Sequence, residues 1–139
     1  MTENGNPRGL AIDDLRHTAV PAQADRLPAL RYALSSWAER AGVTADQVEE
    51  LALATYEAMA NVIEHAYPDG AGTFDLHARH LPEQGCIEVT VVDHGRWKPP
   101  SADPGPLYGR GIPLMRDLAQ NVALHPSPAG TTAVLRWPL

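Results

Sequence analysis

The chain lacks several features that mark whole classes of protein. It holds a single cysteine, Cys86, which excludes an internal disulfide and any zinc site that needs a second thiol. No run of about 18 apolar residues occurs and the first residues do not resemble a signal peptide, so we expect a cytoplasmic protein without a membrane span. Lysines and arginines form no run and the net charge is -6, which argues against nucleic acid as a partner.

The chain does contain enough apolar material for one domain. Its 139 residues are 44% hydrophobic, which is typical of a single folded unit with its own core. Residues 1–9 are polar and contain Asn, Gly and Pro, so we expect a disordered tail there. The domain is therefore predicted to span residues 10–139.

Hydrophobic spacing predicts strands and helices in a mixed order. In the strand at 73–81 every second residue is predicted to face inward, namely Phe74, Leu76 and Ala78, and the strand at 86–92 has the same period with Ile87, Val89 and Val91 inward. Thr44 and Gln47 form a capping box that begins the longest predicted helix. Residues 93–109 hold too many prolines and glycines for a helix or a central strand, so they are predicted to form a loop. The pattern predicts an α+β two-layer sandwich, with a mixed, mostly antiparallel sheet and helices on one face. Strands are predicted at 12–20, 73–81, 86–92, 122–124 and 131–137, and helices at 27–41, 45–66 and 112–119.

Three polar side chains share one edge of the longest predicted helix. Glu57, Asn61 and His65 follow one another at intervals of four, beside a stripe of apolar residues. A solvated helix face would explain them, but Ala54 and Ala58 leave space along this edge. A carboxylate as general base and a carboxamide oxygen as Mg²⁺ ligand would together suit phosphoryl transfer.

Asp93 stands where a predicted strand ends, two residues before Gly95. A simple turn explains both residues, since Asp caps turns and Gly tolerates positive φ. An ionised Asp only accepts hydrogen bonds, however, so it can pair with the amino group of adenine and would repel the carbonyl oxygen of guanine. Gly95 would let the base approach the backbone. Thr131 or Thr132, at the start of the last predicted strand, could complete such a pocket.

Gly109, Arg110 and Gly111 lie just before the short predicted helix. Backbone N–H groups freed by two glycines, together with the helix dipole, favour a phosphate group at this position. Arg110 could add a charge-assisted hydrogen bond. The pattern is not a Walker A loop, because no Gly-Lys-Ser or Gly-Lys-Thr follows it.

Taken in order, these segments resemble the boxes of the GHKL ATPase superfamily. Within that superfamily the chain is most similar to the anti-sigma-factor serine kinases in their actinobacterial form. The resemblance implies a histidine-kinase-like ATPase fold that binds ATP and Mg²⁺. It is carried by EAMANVIEHAY at 57–67, VDHGRW at 92–97, GRGIPLM at 109–115 and GTT at 130–132.

The resemblance also implies a role for each matching residue. Glu57 would be the general base that takes the proton of a partner's serine hydroxyl, and Asn61 would be the Mg²⁺ ligand. The remaining positions would bind the nucleotide through its adenine ring or its phosphates: Asp93, Gly95, Gly109, Arg110, Gly111, Thr131 and Thr132.

Protein partners follow from the same resemblance. An anti-anti-sigma protein would be phosphorylated and a sigma factor would be sequestered. Family members are commonly homodimers, so we expect a homodimer, and Leu34 and Trp37 could face the second copy rather than the core.

One position departs from the family pattern. The first glycine box often reads D-x-G-x-G, and Trp97 takes the place of its last glycine. The loss of this glycine affects turnover more than nucleotide binding. The alternative function is therefore an ATP-binding interaction module that transfers no phosphate. A sensor histidine kinase is disfavoured because His17 lies in a predicted strand. A metal enzyme is disfavoured because His77 and His80 fall on opposite faces of theirs.

Overall fold

A computed structural model describes residues 11–67, 71–95 and 121–139. Within these ranges five strands form one sheet in the order β1-β2-β3-β5-β4. Every strand pair is antiparallel, and with two helices beside the sheet this confirms the predicted α+β sandwich. The strands are β1 (Leu15–Pro21), β2 (Thr73–Leu81), β3 (Cys86–Asp93), β4 (Asn121–Ser127) and β5 (Gly130–Pro138).

Two helices precede β2. A short 3₁₀ turn, Ala24–Arg26, leads into α1 (Leu27–Arg40), and α2 spans Ala45–Asn61. The predicted capping box begins α2, because the Thr44 hydroxyl accepts from the Gln47 N–H at 3.1 Å and the Gln47 side chain accepts from the Thr44 N–H at 3.0 Å. The helix does not continue unchanged to residue 66 as predicted. It widens into a π-helical turn at Val62–Ala66, a feature that often occurs at functional sites.

The remaining differences from the predicted elements are at their ends. β1 begins three residues later than predicted and includes Pro21, which an edge strand tolerates. The last two strands are longer than predicted, and they meet in a tight turn at Pro128 and Ala129. The predicted tail, most of the predicted 93–109 loop and the predicted helix at 112–119 lie outside the described residues.

The hydrophobic core lies between the two helices and the inner face of the sheet. β2 alternates as predicted, with Phe74, Leu76 and Ala78 buried. Leu34 and Trp37 are also buried in this core, and the Trp37 indole N–H donates to the carbonyl of Asp13 at 2.8 Å. The expectation that these two residues face a dimer partner is therefore wrong. In the described ranges, no helix combines the length and apolar character needed to cross a membrane.

The outer face of the sheet, opposite the helices, carries a buried acidic side chain. Glu88 on β3 is 5% exposed and lies between Arg79 on β2 and Arg136 on β5. Its carboxylate accepts hydrogen bonds from Arg79 and from the Arg136 Nε, the latter at 2.8 Å. Both guanidinium groups remain partly in solvent. The strand pattern predicted Glu88 to be outward, but not that its neighbours would cover it.

Candidate functional site

A small cavity lies where the C-terminal end of α2 meets the sheet. Ala58 contributes to the opening because its short side chain leaves the helix surface uncovered there, whereas Ala54 is fully buried in the core and leaves no such space. The lining residues come from α2, the π-helical turn and three strands: Ala58, Asn61, Val62, Val91, Asp93, Leu124, Thr131 and Ala133.

Asp93 forms the strand side of this cavity. Its side chain is 2% exposed, and its Oδ1 accepts hydrogen bonds from the backbone N–H of Gly95 at 3.0 Å and of Thr131 at 3.3 Å. The sheet register makes the second contact possible, since Asp93 pairs with Thr131 across β3 and β5. The charge of this buried carboxylate is thus stabilised in part by neutral backbone donors.

Gly130 is required for β5 to begin this close to β3. Its φ is +143°, and a Cβ atom built on it would lie 1.9 Å from the carbonyl oxygen of Asp93. Only glycine combines this backbone conformation with this approach. The glycine at 130 therefore supports the contact between Thr131 and Asp93.

The structure separates the two candidate threonines. Thr131 is buried and lines the cavity, whereas Thr132 is partly exposed and its neighbours Thr131 and Ala133 both face the helices. Because successive strand residues point to opposite faces, Thr132 lies on the outer face of the sheet. Of the two residues, only Thr131 is brought together with Asp93.

Asn61 forms the helix side of the cavity. It is 3% exposed, and its Nδ2 has no hydrogen-bond partner in the described part of the chain. A buried carboxamide in this state is costly unless a ligand completes its hydrogen bonds. Rotation of the amide by half a turn presents its oxygen instead, and an amide oxygen is a suitable ligand for Mg²⁺. The position thus fits the metal that the resemblance implies.

Glu57 lies one helical turn before Asn61 and is half-buried. Burial, followed by the negative charge of Glu64, raises the pKa of Glu57 above its usual 4.5. A carboxylate with a raised pKa is a better proton acceptor as long as it stays ionised. His65, the third residue of the predicted edge, lies within the π-helical turn and is also half-buried.

Gly95 has a packing role that the sequence did not indicate. A Cβ atom at this position would lie 2.0 Å from the carbonyl oxygen of Ala66 and 2.9 Å from the ring of Tyr67. The group that approaches Gly95 in the structure is therefore the end of the π-helical turn. Its contact with a nucleotide base stays a prediction.

Tyr67 is a contact residue that the motif reasoning missed. Its hydroxyl donates to the carbonyl of Thr73 and accepts from the backbone N–H of His94 at 2.9 Å. The only signal was its place two residues after His65. One partner, Thr73, begins β2 six residues further along the chain, and the other, His94, follows β3 27 residues further along, so the motif spacing did not indicate these contacts.

The described part of the chain contains no cluster of three or more His, Cys, Asp or Glu side chains that could hold a metal ion. A Mg²⁺ ion beside Asn61 would therefore take most of its ligands from phosphate oxygens and water. Four residues of the sequence motifs lie outside the described residues: Trp97, Gly109, Arg110 and Gly111.

Comparison with known proteins identifies the family of the chain. Residues 20–137 match a family model described as a histidine kinase-like ATPase domain. Similar curated relatives are named serine-protein kinase RsbW. The one from Bacillus pumilus is 27% identical, with 89% of this chain and 86% of the relative covered, and the one from Bacillus subtilis is 29% identical, with 85% and 82% covered. A third, from Halalkalibacterium halodurans, is 39% identical, but the match covers 55% of this chain and only 46% of that relative.

Solved structures give the same fold. The RsbU and RsbW domains of a Mycobacterium tuberculosis protein match with a TM-score of 0.73 at 20% identity, covering 92% of this chain and 32% of that one. A histidine kinase domain from Erythrobacter litoralis matches with a TM-score of 0.58 at 22% identity, covering 86% of this chain and 61% of that one. These likenesses confirm the fold that the resemblance implied.

Proposed function

Because this chain belongs to the histidine kinase-like ATPase domain family, we propose that it is an ATP-binding serine protein kinase and anti-sigma factor. The relatives named serine-protein kinase RsbW support this reaction class. The observation that carries the proposal is the buried carboxamide of Asn61, which lines a cavity while its Nδ2 has no partner among the described residues. The nucleotide would supply the missing partner, because a phosphate oxygen can accept from the Nδ2–H and the rotated amide presents its oxygen to Mg²⁺.

Asp93 and Thr131 would bind the adenine ring on the strand side of the cavity. A carboxylate offers about four acceptor positions, and one oxygen of Asp93 already accepts from two backbone N–H groups. Because an ionised carboxylate cannot donate, it favours the amino group of adenine and disfavours the carbonyl oxygen of guanine. With the 6-position of the purine facing Asp93, this chemistry would favour ATP over GTP.

Asn61 would hold Mg²⁺ on the helix side, and Gly109, Arg110 and Gly111 would bind the phosphates. Bound Mg²⁺ would neutralise negative charge on the phosphate groups. The buried position of Asn61 would keep the carboxamide oriented and limit its exchange with water. Backbone N–H groups at the two glycines would add donors without a net charge.

Glu57 would accept the proton of the serine hydroxyl on the partner protein. Residues four apart on a helix lie on the same side, so Glu57 and Asn61 would act from one edge of α2. The raised pKa of Glu57 suits this role, because it strengthens the carboxylate as a proton acceptor. The hydroxyl oxygen would then attack the γ-phosphorus of ATP as the bond from that phosphorus to the bridging oxygen breaks, so that phosphoserine forms and ADP leaves.

The proposal includes the partners that the family resemblance implies. These are an anti-anti-sigma protein that carries the accepting serine and a sigma factor that is held inactive. A homodimer and a cytoplasmic location belong to the same proposal. The likeness to relatives named serine-protein kinase RsbW supports the two protein partners.

The nucleotide site is tested by calorimetric titration with ATP and with GTP, each with Mg²⁺. The wild type is expected to bind ATP and not GTP, and Asp93→Asn to weaken ATP by about tenfold or more, because one acceptor becomes a donor. Glu88→Gln is the matched control, since Glu88 is a buried acid on the same strand but on the outer face. Equal ATP affinity in Asp93→Asn and the wild type would refute the adenine assignment.

Trp97 favours a second candidate, an ATP-binding interaction module that transfers no phosphate. Glu57→Gln separates the two functions. For a kinase it abolishes phosphoserine formation in an added anti-anti-sigma protein, measured by mass spectrometry, and leaves ATP affinity nearly unchanged. Glu49→Gln, exposed on the same helix, is the control. ATP binding without phosphoserine in the wild type would favour the module.

A further inference from the structure

Tyr67 ties three segments of the chain together at the edge of the candidate site. Its hydroxyl joins Thr73 at the start of β2 to His94, just past the end of β3. Its ring also lies over Gly72 and Gly95, where an added Cβ atom would come within 2.3 Å and 2.9 Å of ring carbons. One side chain therefore connects the end of α2 with two strands.

These contacts join the two halves of the candidate site. Asn61 lies on α2 and Asp93 on β3, so their spacing depends on how the end of α2 sits against the end of β3. The turn after Asp93 is held from inside by its own carboxylate, which accepts from the Gly95 N–H at 3.0 Å. It is held from outside by Tyr67, which accepts from the His94 N–H at 2.9 Å.

We infer that the Tyr67 hydroxyl is a positioning group for the nucleotide site, setting the spacing between Asn61 and Asp93 and thereby the affinity for ATP and the preference for adenine. The inference rests on the proposed function. Removal of the hydroxyl leaves the ring in place but takes a partner from the His94 N–H and the Thr73 carbonyl. The turn then gains conformational freedom, which ATP binding must remove again.

The test is Tyr67→Phe, titrated with ATP and with GTP well below the unfolding temperature. We expect the Kd for ATP to rise about tenfold, as the loss of a hydroxyl with two hydrogen bonds suggests, and the ATP-to-GTP preference to fall. Tyr56→Phe is the matched control. Tyr56 lies on α2, is partly buried and packs its ring against the Arg31 guanidinium, 5.7 Å away. Its substitution should change neither quantity.

A second variant and a second measurement guard against a folding defect. Gly72→Ala displaces the same ring by steric contact and should weaken ATP in the same direction. Amide hydrogen exchange at His94 should be faster in Tyr67→Phe than in the wild type, because the N–H loses its acceptor.

The outcomes separate this inference from the proposed function. A wild type that binds no ATP would overturn both. A wild type that binds ATP, with Tyr67→Phe and Gly72→Ala equal to it in Kd and in nucleotide preference, would overturn only the positioning role. Lower thermal stability in Tyr67→Phe at unchanged Kd and preference would mean that the hydroxyl is structural, and would also overturn the inference.

Discussion

Strand β3 carries two buried acidic side chains, Glu88 and Asp93, that are stabilised in different ways. Glu88 faces outward between two arginines, whose hydrogen bonds and charges neutralise it. Asp93 faces inward, and its Oδ1 accepts from two neutral backbone N–H groups. One strand thus holds a carboxylate whose charge two guanidinium groups cancel and a second carboxylate that accepts from two backbone N–H groups.

The difference shows how burial alone fails to identify a functional acid. A carboxylate paired with two guanidinium groups has its acceptor positions taken up by these partners, so its role is structural, within the sheet. A carboxylate that accepts from backbone N–H groups and lines a cavity can also accept from a ligand, because it offers about four acceptor positions. The proposed function depends on this contrast.

The largest effect on stability and ATP binding is expected for Gly130→Ala, where β5 begins against the end of β3. The new Cβ would clash with the Asp93 carbonyl, and the backbone conformation is unfavourable for alanine. Together these should cost about 2–5 kcal/mol of unfolding free energy and abolish ATP binding. Urea denaturation and calorimetry measure the two quantities.

Gly85→Ala is the matched control at the opposite end of β3. Gly85 also has a positive φ, +70°, but an added Cβ would meet nothing within 4 Å. Only backbone strain remains, so the loss should be about 1 kcal/mol, with unchanged ATP affinity. Equal losses in the two variants would show that the close approach of β5 to Asp93 is not what requires Gly130.

An intermediate effect should come from exchanging each carboxylate for its amide. Glu88→Gln should cost about 1–2 kcal/mol of unfolding free energy, because a neutral amide cannot accept from both arginines and its NH₂ group faces one of them. Asp93→Asn should cost less stability, since its amide oxygen can still accept the two backbone N–H groups. Chemical denaturation of both variants checks the order. A larger loss of stability in Asp93→Asn than in Glu88→Gln would contradict the contrast between the faces.

The smallest expected effect is on how the unfolding free energy depends on pH, which should differ between the two faces of the sheet. Burial alone would raise the pKa of Glu88, but the hydrogen bonds and charges of Arg79 and Arg136 outweigh it and hold the pKa below its usual 4.5. The unfolded state therefore binds this proton first, so the stabilisation is full above pH 4.5 and is lost as the pH falls through the folded pKa. The stability difference between wild type and Glu88→Gln should shrink in that range.

His80, on the inner face, should lose its contribution to the unfolding free energy at a higher pH than Glu88 does. Burial lowers the pKa of His80 from 6.5, and its Nδ1 accepts from the Ile12 N–H at 3.1 Å. Since the unfolded state takes up the proton first, stability should fall as the pH drops below 6.5, and the full loss is reached below the folded pKa. Denaturation of wild type and His80→Gln between pH 8 and pH 4 should show it. A difference between them that does not change with pH would refute this assignment.

Local patterns along the chain predicted much of the fold. Alternation placed Phe74 and Leu76 in the core, and the Thr44 and Gln47 side chains marked the start of α2. The ends of β1, β4 and β5 were less accurate, because strand length depends on partners elsewhere in the sheet. The sequence also predicted that Asn61 lies on an edge of α2, but treated that edge as open rather than buried.

The sequence by itself determined the order of the described elements, the alternation within their strands and the motifs that identify the family, because these depend on residues close together in the chain. Only the tertiary structure decided that Thr131 rather than Thr132 lines the cavity, and that Tyr67 joins β2 to the end of β3. It also decided that Glu88 is neutralised while Asp93 is held by backbone donors. Each of these depends on strand register and on contacts between residues far apart in sequence, which no local pattern encodes.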